Sequence, residues 1–102
     1  MPKAYWLARV DVTDPDAYSS YARANAEPFR KFGARFLVRG GAATLKEGGQ
    51  RARNVVIEFK DLETAMACYD SPEYQRAAAL RMGAALADVV IVEGYDGPQP
   101  TE

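Results

Sequence analysis

An arginine and a glutamate in the middle of the chain are the residues whose types could most directly support chemistry. Arg39 ends the run ARFLVR before two glycines, and Glu58 lies in the run NVVIEFK. If Gly48 and Gly49 form a two-residue hairpin turn, antiparallel pairing places Arg39 opposite Glu58. Arginine binds a carboxylate through two parallel hydrogen bonds, and a partly buried glutamate can act as a general base. We therefore consider Arg39 as a substrate-binding residue and Glu58 as a catalytic residue.

The same pair also has a purely structural interpretation, as a cross-strand ion pair that fixes the sheet register. Such pairs contribute about 0.2–1 kcal/mol, and an arginine partner stabilises the ionised glutamate, which weakens it as a base. The register assumes that Glu47 and Gln50 close the turn. A bulge at Gly40 and Gly41 would shift the pairing by one residue. The sequence leaves both interpretations open.

Aromatic residues supply the second group of candidates. Tyr18 and Tyr21 share the apolar face of one predicted helix, and Tyr74 lies in a later one. They could line an aromatic site and donate hydrogen bonds to a ligand oxygen, with Tyr74 as a second catalytic candidate. The alternative is that they are core residues with their hydroxyl groups at a wet edge. Trp6, in the first predicted strand, is either a wall of the site or part of a dimer core.

Ser71 and Arg81 complete the candidate set. Ser71 stands before Pro72, a position typical of a helix N-cap, and the chain has no histidine to activate it as a nucleophile. Arg81 follows Tyr74 by seven residues, so both project from about the same helix face. It would meet an anionic ligand, solvate the end of the helix or reach across a dimer. We include Ser71 and Arg81 as substrate-binding candidates beside these structural roles.

The composition excludes several classes of site. The chain has no histidine and one cysteine, Cys68. A Ser-His-Asp triad, a Cys-His nucleophile, histidine-ligated zinc and histidine-ligated haem are therefore excluded within one chain. We expect no metal site and no cofactor. The lone cysteine fits a reduced, cytoplasmic setting without disulfides.

The charge balance and the length point to a small globular protein. Thirteen basic and fourteen acidic residues nearly cancel among 102 residues, and no basic run occurs, so we expect neither nucleic acid nor a membrane as partner. No stretch approaches the length of a transmembrane helix. We expect residues 1–96 to form a single domain and residues 97–102 to form a loose C-terminal tail.

The candidate residues depend on a β-α-β-β-α-β order of elements. Strand patterns cover residues 3–11, 34–47, 54–60 and 88–94. Helical patterns cover residues 15–32 and 62–86, and the second is interrupted before Pro72. Pro28 should kink the first helix or split off its last turn. Right-handed crossovers place both helical regions on one face of the sheet. The order predicts an α+β fold, the ferredoxin-like sandwich with a four-stranded antiparallel sheet whose first and third strands are central.

Both faces of the predicted sheet are apolar. In the first strand, Tyr5 and Leu7 point to one side while Trp6 and Val10 point to the other. An antiparallel sheet with one solvated face alternates apolar and polar residues, and this one does not. Because the helices cover only one face, we expect a second copy to cover the other. The predicted partner is a second copy of the chain, in a two-fold homodimer that packs through the sheet faces.

The motifs together resemble those of one family of uncharacterised proteins. They are Asp14-Pro15 with Tyr18 and Tyr21, then Arg39-Gly40-Gly41, Glu58-Phe59, Ser71-Pro72-Glu73-Tyr74 and Arg81. From residue 3 to about residue 95, the chain resembles domain-of-unknown-function family 1330. The resemblance implies the dimeric α/β-barrel superfamily, which includes cofactor-independent monooxygenases, muconolactone-type isomerases, haem-degrading enzymes and stress-response proteins. It brings no established activity.

Three functional hypotheses follow from these features. The first is an enzyme without metal or cofactor, an isomerase or monooxygenase that acts on a small acidic or aromatic ligand in a pocket between the sheet and the helices. The second is a protein that binds such a ligand without chemistry. The third is a structural or stress-associated dimer.

Overall fold

The computed structural model describes residues 2–49 and 51–101. Its elements are β1 (Ala4–Val12), α1 (Pro15–Ala24), α2 (Ala26–Phe32), β2 (Arg35–Arg39), β3 (Arg53–Phe59), α3 (Leu62–Asp70), α4 (Pro72–Arg81) and β4 (Ala85–Glu93). The strands form one antiparallel sheet in the order β2-β3-β1-β4. The sequence-based prediction of a ferredoxin-like α+β fold with β1 and β3 in the centre is therefore confirmed.

The first helical region is divided into two helices, which is one of the two effects predicted for Pro28. Asp14 caps α1, since its carboxylate accepts a backbone N–H of the first turn at 3.2 Å. Asn25 separates α1 from α2. The break is explained by Pro28, which lacks an N–H and whose ring crowds the carbonyl four residues earlier. Gly33 ends α2 with a positive φ of 71°.

The second helical region ends earlier than predicted. Helix α4 stops at Arg81 rather than near residue 86, and β4 begins at Ala85 rather than at residue 88. Gly83, at a positive φ of 80°, lies in the turn between them. The alanines on either side of this glycine suit a helix and a strand alike, so the periodicity alone placed the boundary wrongly.

The predicted tight hairpin turn is wrong. Strand β2 ends at Arg39 and β3 begins at Arg53, so residues 40–52 form a long loop. Gly48 and Gly49 lie within this loop and not in a two-residue turn between paired strands. Gln50, predicted to close that turn, is outside the described residues. The glycine-rich segment after Arg39 therefore belongs to a loop, although its sequence predicted a short strand followed by a turn.

The strand alternation separates a helix-covered face of the sheet from an open face. On β1 the helix-covered side chains of Ala4, Trp6 and Val10 are buried. The open face keeps apolar side chains in solvent, among them Leu7, Leu86, Val90 and Val92, which are 41–59% exposed. The expectation of apolar residues on both faces is met.

Trp6 is the centre of the core. Its indole N–H donates to the Ala65 carbonyl at 2.9 Å, which joins the central strand to α3. Its ring also packs against one aromatic ring from each of four elements. The ring centroids lie 5.3 Å from Phe29, 5.2 Å from Phe59, 5.7 Å from Tyr69 and 4.9 Å from Tyr74. One side chain thus fixes α2, β3, α3 and α4 relative to β1.

Replacing Trp6 by phenylalanine tests this role. The substitution removes a large part of the ring and the indole N–H that donates to the Ala65 carbonyl, so we expect a loss of about 2–4 kcal/mol in the free energy of unfolding. Urea denaturation followed by circular dichroism measures it. Tyr5→Phe, on the open face of the same strand, is the control and should change stability by less than about 0.5 kcal/mol. A Trp6→Phe protein as stable as its control would contradict the role.

Candidate functional site

A cavity lies between the helix-covered face of the sheet and helices α1, α2 and α4. Its interior volume is about 40 Å³, room for a few water molecules, and its mouth is open to solvent. Apolar side chains form most of the wall: Trp6, Ala8, Val10, Ala22, Phe29, Phe36, Val55, Ile57, Ala87 and Val89. A mainly apolar wall with a few convergent polar groups has the character of a small-molecule site.

The polar part of the wall consists of guanidinium groups, which donate hydrogen bonds, and of hydroxyl and amide groups, which both donate and accept them. It is formed by Arg39, Arg53, Arg81, Tyr18, Tyr21, Tyr74 and Asn25. Within the described ranges, no aspartate or glutamate lines the cavity. Three guanidinium groups without a carboxylate counter-charge favour an anion in the cavity.

Six of the eight residues singled out from the sequence line this cavity, namely Trp6, Tyr18, Tyr21, Arg39, Tyr74 and Arg81. The other two, Glu58 and Ser71, do not. The alternating strand pattern and the helical spacing bring the six together, because residues two apart on a strand and three or four apart on a helix share a face.

The predicted pairing of Arg39 with Glu58 is wrong. Arg39 lies opposite Val55, and Glu58 lies opposite Arg35, because the register of β2 shifts between residues 36 and 38. Glu58 is therefore on the open face, where its carboxylate accepts from the Lys3 ammonium at 3.2 Å. The sheet itself separates the Glu58 carboxylate from the cavity, and a base role for Glu58 in this cavity is not supported.

Arg39 stays at the mouth of the cavity. Its guanidinium lies 4.1 Å from the centroid of the Phe36 ring, an arrangement in which the charge is attracted to the ring face. The residue is exposed, so it keeps the freedom to turn toward an entering anion.

Ser71 has the structural role considered as its alternative. Its hydroxyl accepts from the Tyr74 backbone N–H at 3.1 Å and donates to the Cys68 carbonyl at 2.7 Å. It therefore caps α4 and ties α4 to the end of α3. Cys68 is buried, and burial raises the pKa of its thiol to about 12, so it stays protonated and inert near neutral pH.

Two tyrosine hydroxyls and a guanidinium form the inner polar group of the cavity. The hydroxyl oxygens of Tyr21 and Tyr74 are 2.8 Å apart and share one hydrogen bond. The Arg81 guanidinium lies 5.3 Å from the centroid of the Tyr21 ring and interacts with both hydroxyls. Burial, together with the neighbouring Tyr21, raises the pKa of Tyr74 well above its usual value, although Arg81 acts in the opposite direction. Tyr74 is thus a neutral O–H group and not a phenolate base.

Arg53 is the cavity residue that the sequence analysis missed. Its guanidinium lies 5.7 Å from the centroid of the Tyr18 ring and presses against Gly40, where an added Cβ would collide with it. Gly40 also has a positive φ of 71°, a backbone conformation that favours glycine. The Nε atom of Arg53 is buried without a partner among the described residues. The strand alternation could have identified Arg53, because it shares one face of β3 with Val55, Ile57 and Phe59.

Asn25 is the second missed residue. It is 6% exposed and lines the cavity at the break between α1 and α2. No hydrogen bond of its side chain occurs within the described part of the chain, and it does not cap α2. It is therefore available to a molecule inside the cavity.

The comparisons with known proteins agree with this architecture. The model of a domain of unknown function, DUF1330, matches residues 3–95. The chain belongs to this family. A search of curated protein sequences found no match.

Solved structures of low sequence identity share the fold. A protein of unknown function from Rhodopseudomonas palustris, RPA0582, is 16% identical with a TM-score of 0.75, and the match covers 94% of this chain and 85% of that one. SnoaB, a cofactor-independent oxygenase from Streptomyces nogalater, is 14% identical with a TM-score of 0.62 over 98% and 99% of the two chains. A dimeric ferredoxin-like protein of unknown function from Bacteroides fragilis is 13% identical with a TM-score of 0.61 over 90% and 96%.

Neither a metal-binding cluster nor a membrane-spanning helix occurs among the described residues. Residues 2–49 and 51–101 contain no cluster of three metal-ligating side chains of the His, Cys, Asp or Glu types. No helix in the same ranges is long and apolar enough to cross a membrane.

The buried Tyr74 hydroxyl predicts a loss of stability in alkali. The folded protein holds this proton to a higher pH than the unfolded chain does. The unfolded state therefore gains relative stability once the pH rises past the ordinary tyrosine pKa of about 10. We expect the free energy of unfolding to fall above that pH by up to about 1.4 kcal/mol per pH unit. Urea denaturation between about pH 9 and pH 11 measures the slope.

Tyr74→Phe should be less stable than wild type at neutral pH, by about 1 kcal/mol for the lost hydrogen bond, and should show a shallower alkaline decline. Tyr69→Phe is the matched control, because its ring packs against Trp6 and Tyr74 while its hydroxyl makes no described hydrogen bond. An equal alkaline decline in wild type and Tyr74→Phe would contradict the assignment.

Proposed function

We propose that this protein binds a small acidic aromatic compound in the cavity between the sheet and the helices. The observation that carries the proposal is a cavity wall with three arginines and no described carboxylate. The four ion pairs among the described residues use Lys3, Lys31 and Arg51 as cations and leave these three arginines out. Their charge is available to a ligand.

The apolar wall favours an aromatic body for that ligand. Trp6, Phe29 and Phe36 line the cavity together with Val55 and Ile57 from β3. Aromatic rings pack edge to face on one another with additional stabilisation of about 0.5–1.5 kcal/mol. A flat ring carrying one negative charge satisfies both the apolar wall and the guanidinium groups.

The residues of the cavity favour binding over base catalysis. Tyr74 is held neutral by burial, and no carboxylate or histidine lines the described cavity to remove a proton. An isomerisation that needs a base from the chain has no residue to perform it there. Binding without chemistry is the function that the geometry supports best.

A second candidate is a cofactor-independent oxygenase. It is favoured by the likeness to SnoaB, described as a cofactor-independent oxygenase, and to a putative antibiotic biosynthesis monooxygenase from Caulobacter crescentus, at 10% identity and a TM-score of 0.60 over 93% and 92% of the two chains. Identities of this order extend to the fold alone. In this version the bound anion is the substrate, molecular oxygen is the oxidant, and Tyr74 offers an O–H group to an oxyanion.

Titration calorimetry with benzoate and benzamide tests the binding proposal. The two probes have nearly the same shape and differ in charge. We expect benzoate to bind at least about tenfold more tightly, because a hydrogen bond to a charged group contributes about 1.5–3 kcal/mol. Arg53→Gln should lose that advantage, and Arg76→Gln, an exposed position of α4 outside the cavity, should keep it. Equal affinities for the two probes, or an unchanged Arg53→Gln protein, would count against the proposal.

We also propose that the open face of the sheet is the interface of a homodimer. Leu7 from β1 and Val90 from β4 are neighbours in register and are 41% and 56% exposed. Isolated exposed apolar residues are ordinary, but a continuous apolar sheet face favours a partner surface. A structural relative from Bacteroides fragilis is described as dimeric, which supports a dimer here.

Sedimentation velocity at micromolar concentration tests this interface. We expect a dimer for the wild-type protein and a monomer for Val90→Asp, since each copy would place an unpaired carboxylate in an apolar interface. Leu80→Asp, an exposed position on the outer side of α4, is the control and should remain dimeric. A monomeric wild type, or a Val90→Asp protein that is still a dimer, would refute the interface.

A further inference from the structure

The two tyrosine hydroxyls of the cavity have two O–H donors, and only one of them finds an acceptor in the described part of the chain. Tyr21 and Tyr74 contribute two O–H protons, and the 2.8 Å bond between their oxygens uses one of them. The neighbouring Arg81 guanidinium interacts with both oxygens only as a donor. No acceptor for the second O–H proton occurs in the described part of the chain. One phenolic proton is therefore left for an acceptor inside the cavity.

Arg53 repeats this imbalance at a second position. Its Nε–H is buried and has no acceptor among the described residues. The guanidinium packs against Gly40 and lies over the Tyr18 ring, so turning toward solvent would lose both contacts. Leaving a buried donor unpaired costs about 1–3 kcal/mol. An acceptor from a ligand or a water molecule removes that cost.

The two sets of donors are separated by a row of aromatic rings. The Arg53 guanidinium packs on Tyr18 at 5.7 Å, the rings of Tyr18 and Tyr21 are 5.4 Å apart, and the Arg81 guanidinium packs on Tyr21 at 5.3 Å. The spare phenolic proton lies at the Arg81 end, beside Tyr74. A ligand that satisfies both sets must carry an acceptor at each end of a flat body.

From this placement we infer that the ligand is an aromatic carboxylate with a second, carbonyl-type oxygen at its far end. The carboxylate pairs with Arg53, and the second oxygen accepts from the Tyr21–Tyr74 pair. In the absence of ligand, water accepts these bonds. A ligand oxygen replaces that water without loss, whereas an apolar group in the same place leaves the phenolic proton unpaired. This inference rests on the proposed function, because it refines the identity of the ligand in the same cavity.

Two carboxylates of nearly equal shape test the second ligand oxygen independently of the proposal that the cavity binds an aromatic anion. The probes are 4-acetylbenzoate, whose far end is a carbonyl oxygen, and 4-isopropenylbenzoate, whose far end is a methylene group in the same place. Titration calorimetry on the wild-type protein should give an affinity for 4-acetylbenzoate that is higher by tenfold or more. A difference below threefold overturns the inference and leaves the binding proposal intact. Failure of both carboxylates to bind overturns both.

The number of O–H donors also predicts how variants of Tyr21 and Tyr74 discriminate between the two probes. In Tyr21→Phe or in Tyr74→Phe alone, the surviving hydroxyl no longer spends its proton on its neighbour, so the tenfold preference should persist. In the double variant no phenolic proton remains, and the preference should fall to threefold or less. Binding of 4-isopropenylbenzoate to the double variant, within threefold of wild type, verifies that the cavity is still formed. A double variant that binds this probe normally and keeps the tenfold preference overturns the inference.

If the double variant does not fold, the wild-type comparison of the two probes stands on its own as the test. Tyr69→Phe serves as the matched tyrosine control, because Tyr69 packs beside Tyr74 but lies outside the cavity lining. It should show the same preference as wild type.

Discussion

The indole of Trp6 is the constraint on which the rest of the molecule depends. It lies in the middle of the central strand, donates a buried hydrogen bond to the carbonyl of Ala65 and contacts rings from three helical segments and β3. Tyr74 is one of those rings, and its hydroxyl is thereby held against that of Tyr21. The position of the cavity's inner donors thus follows from how the core packs around a single side chain.

Charge is segregated in a chain that is nearly neutral overall. Thirteen basic and fourteen acidic residues almost balance, but the carboxylates that form ion pairs lie on the outer surface or the open face of the sheet. Glu58 pairs with Lys3, Glu73 with Lys31, and Arg51 with two aspartates. Because the cavity arginines face no described carboxylate, a nearly neutral protein presents a locally positive interior, a character that net charge alone cannot reveal.

The sequence specifies the elements of this fold more firmly than their register. Strand alternation, helix caps and the crossover rule were sufficient to predict the strand order and to place six candidate residues around one cavity. The pairing of Arg39 with Glu58 failed, because it required a tight turn where a long loop exists and because an irregularity within β2 shifts the register. Arg53 was overlooked since its importance comes from a lack of partners, which only the packing against Gly40 and Tyr18 discloses.

A crystal structure of the protein with 4-acetylbenzoate tests the central claim most directly, namely that the cavity's unpartnered donors define an anion site. The account predicts the ring between the sheet and α1, with the carboxylate within hydrogen-bond distance of Arg53 and the acetyl oxygen within hydrogen-bond distance of the Tyr21–Tyr74 pair. A ligand bound elsewhere on the molecule, or one inside the cavity whose carboxylate contacts no arginine, would contradict it.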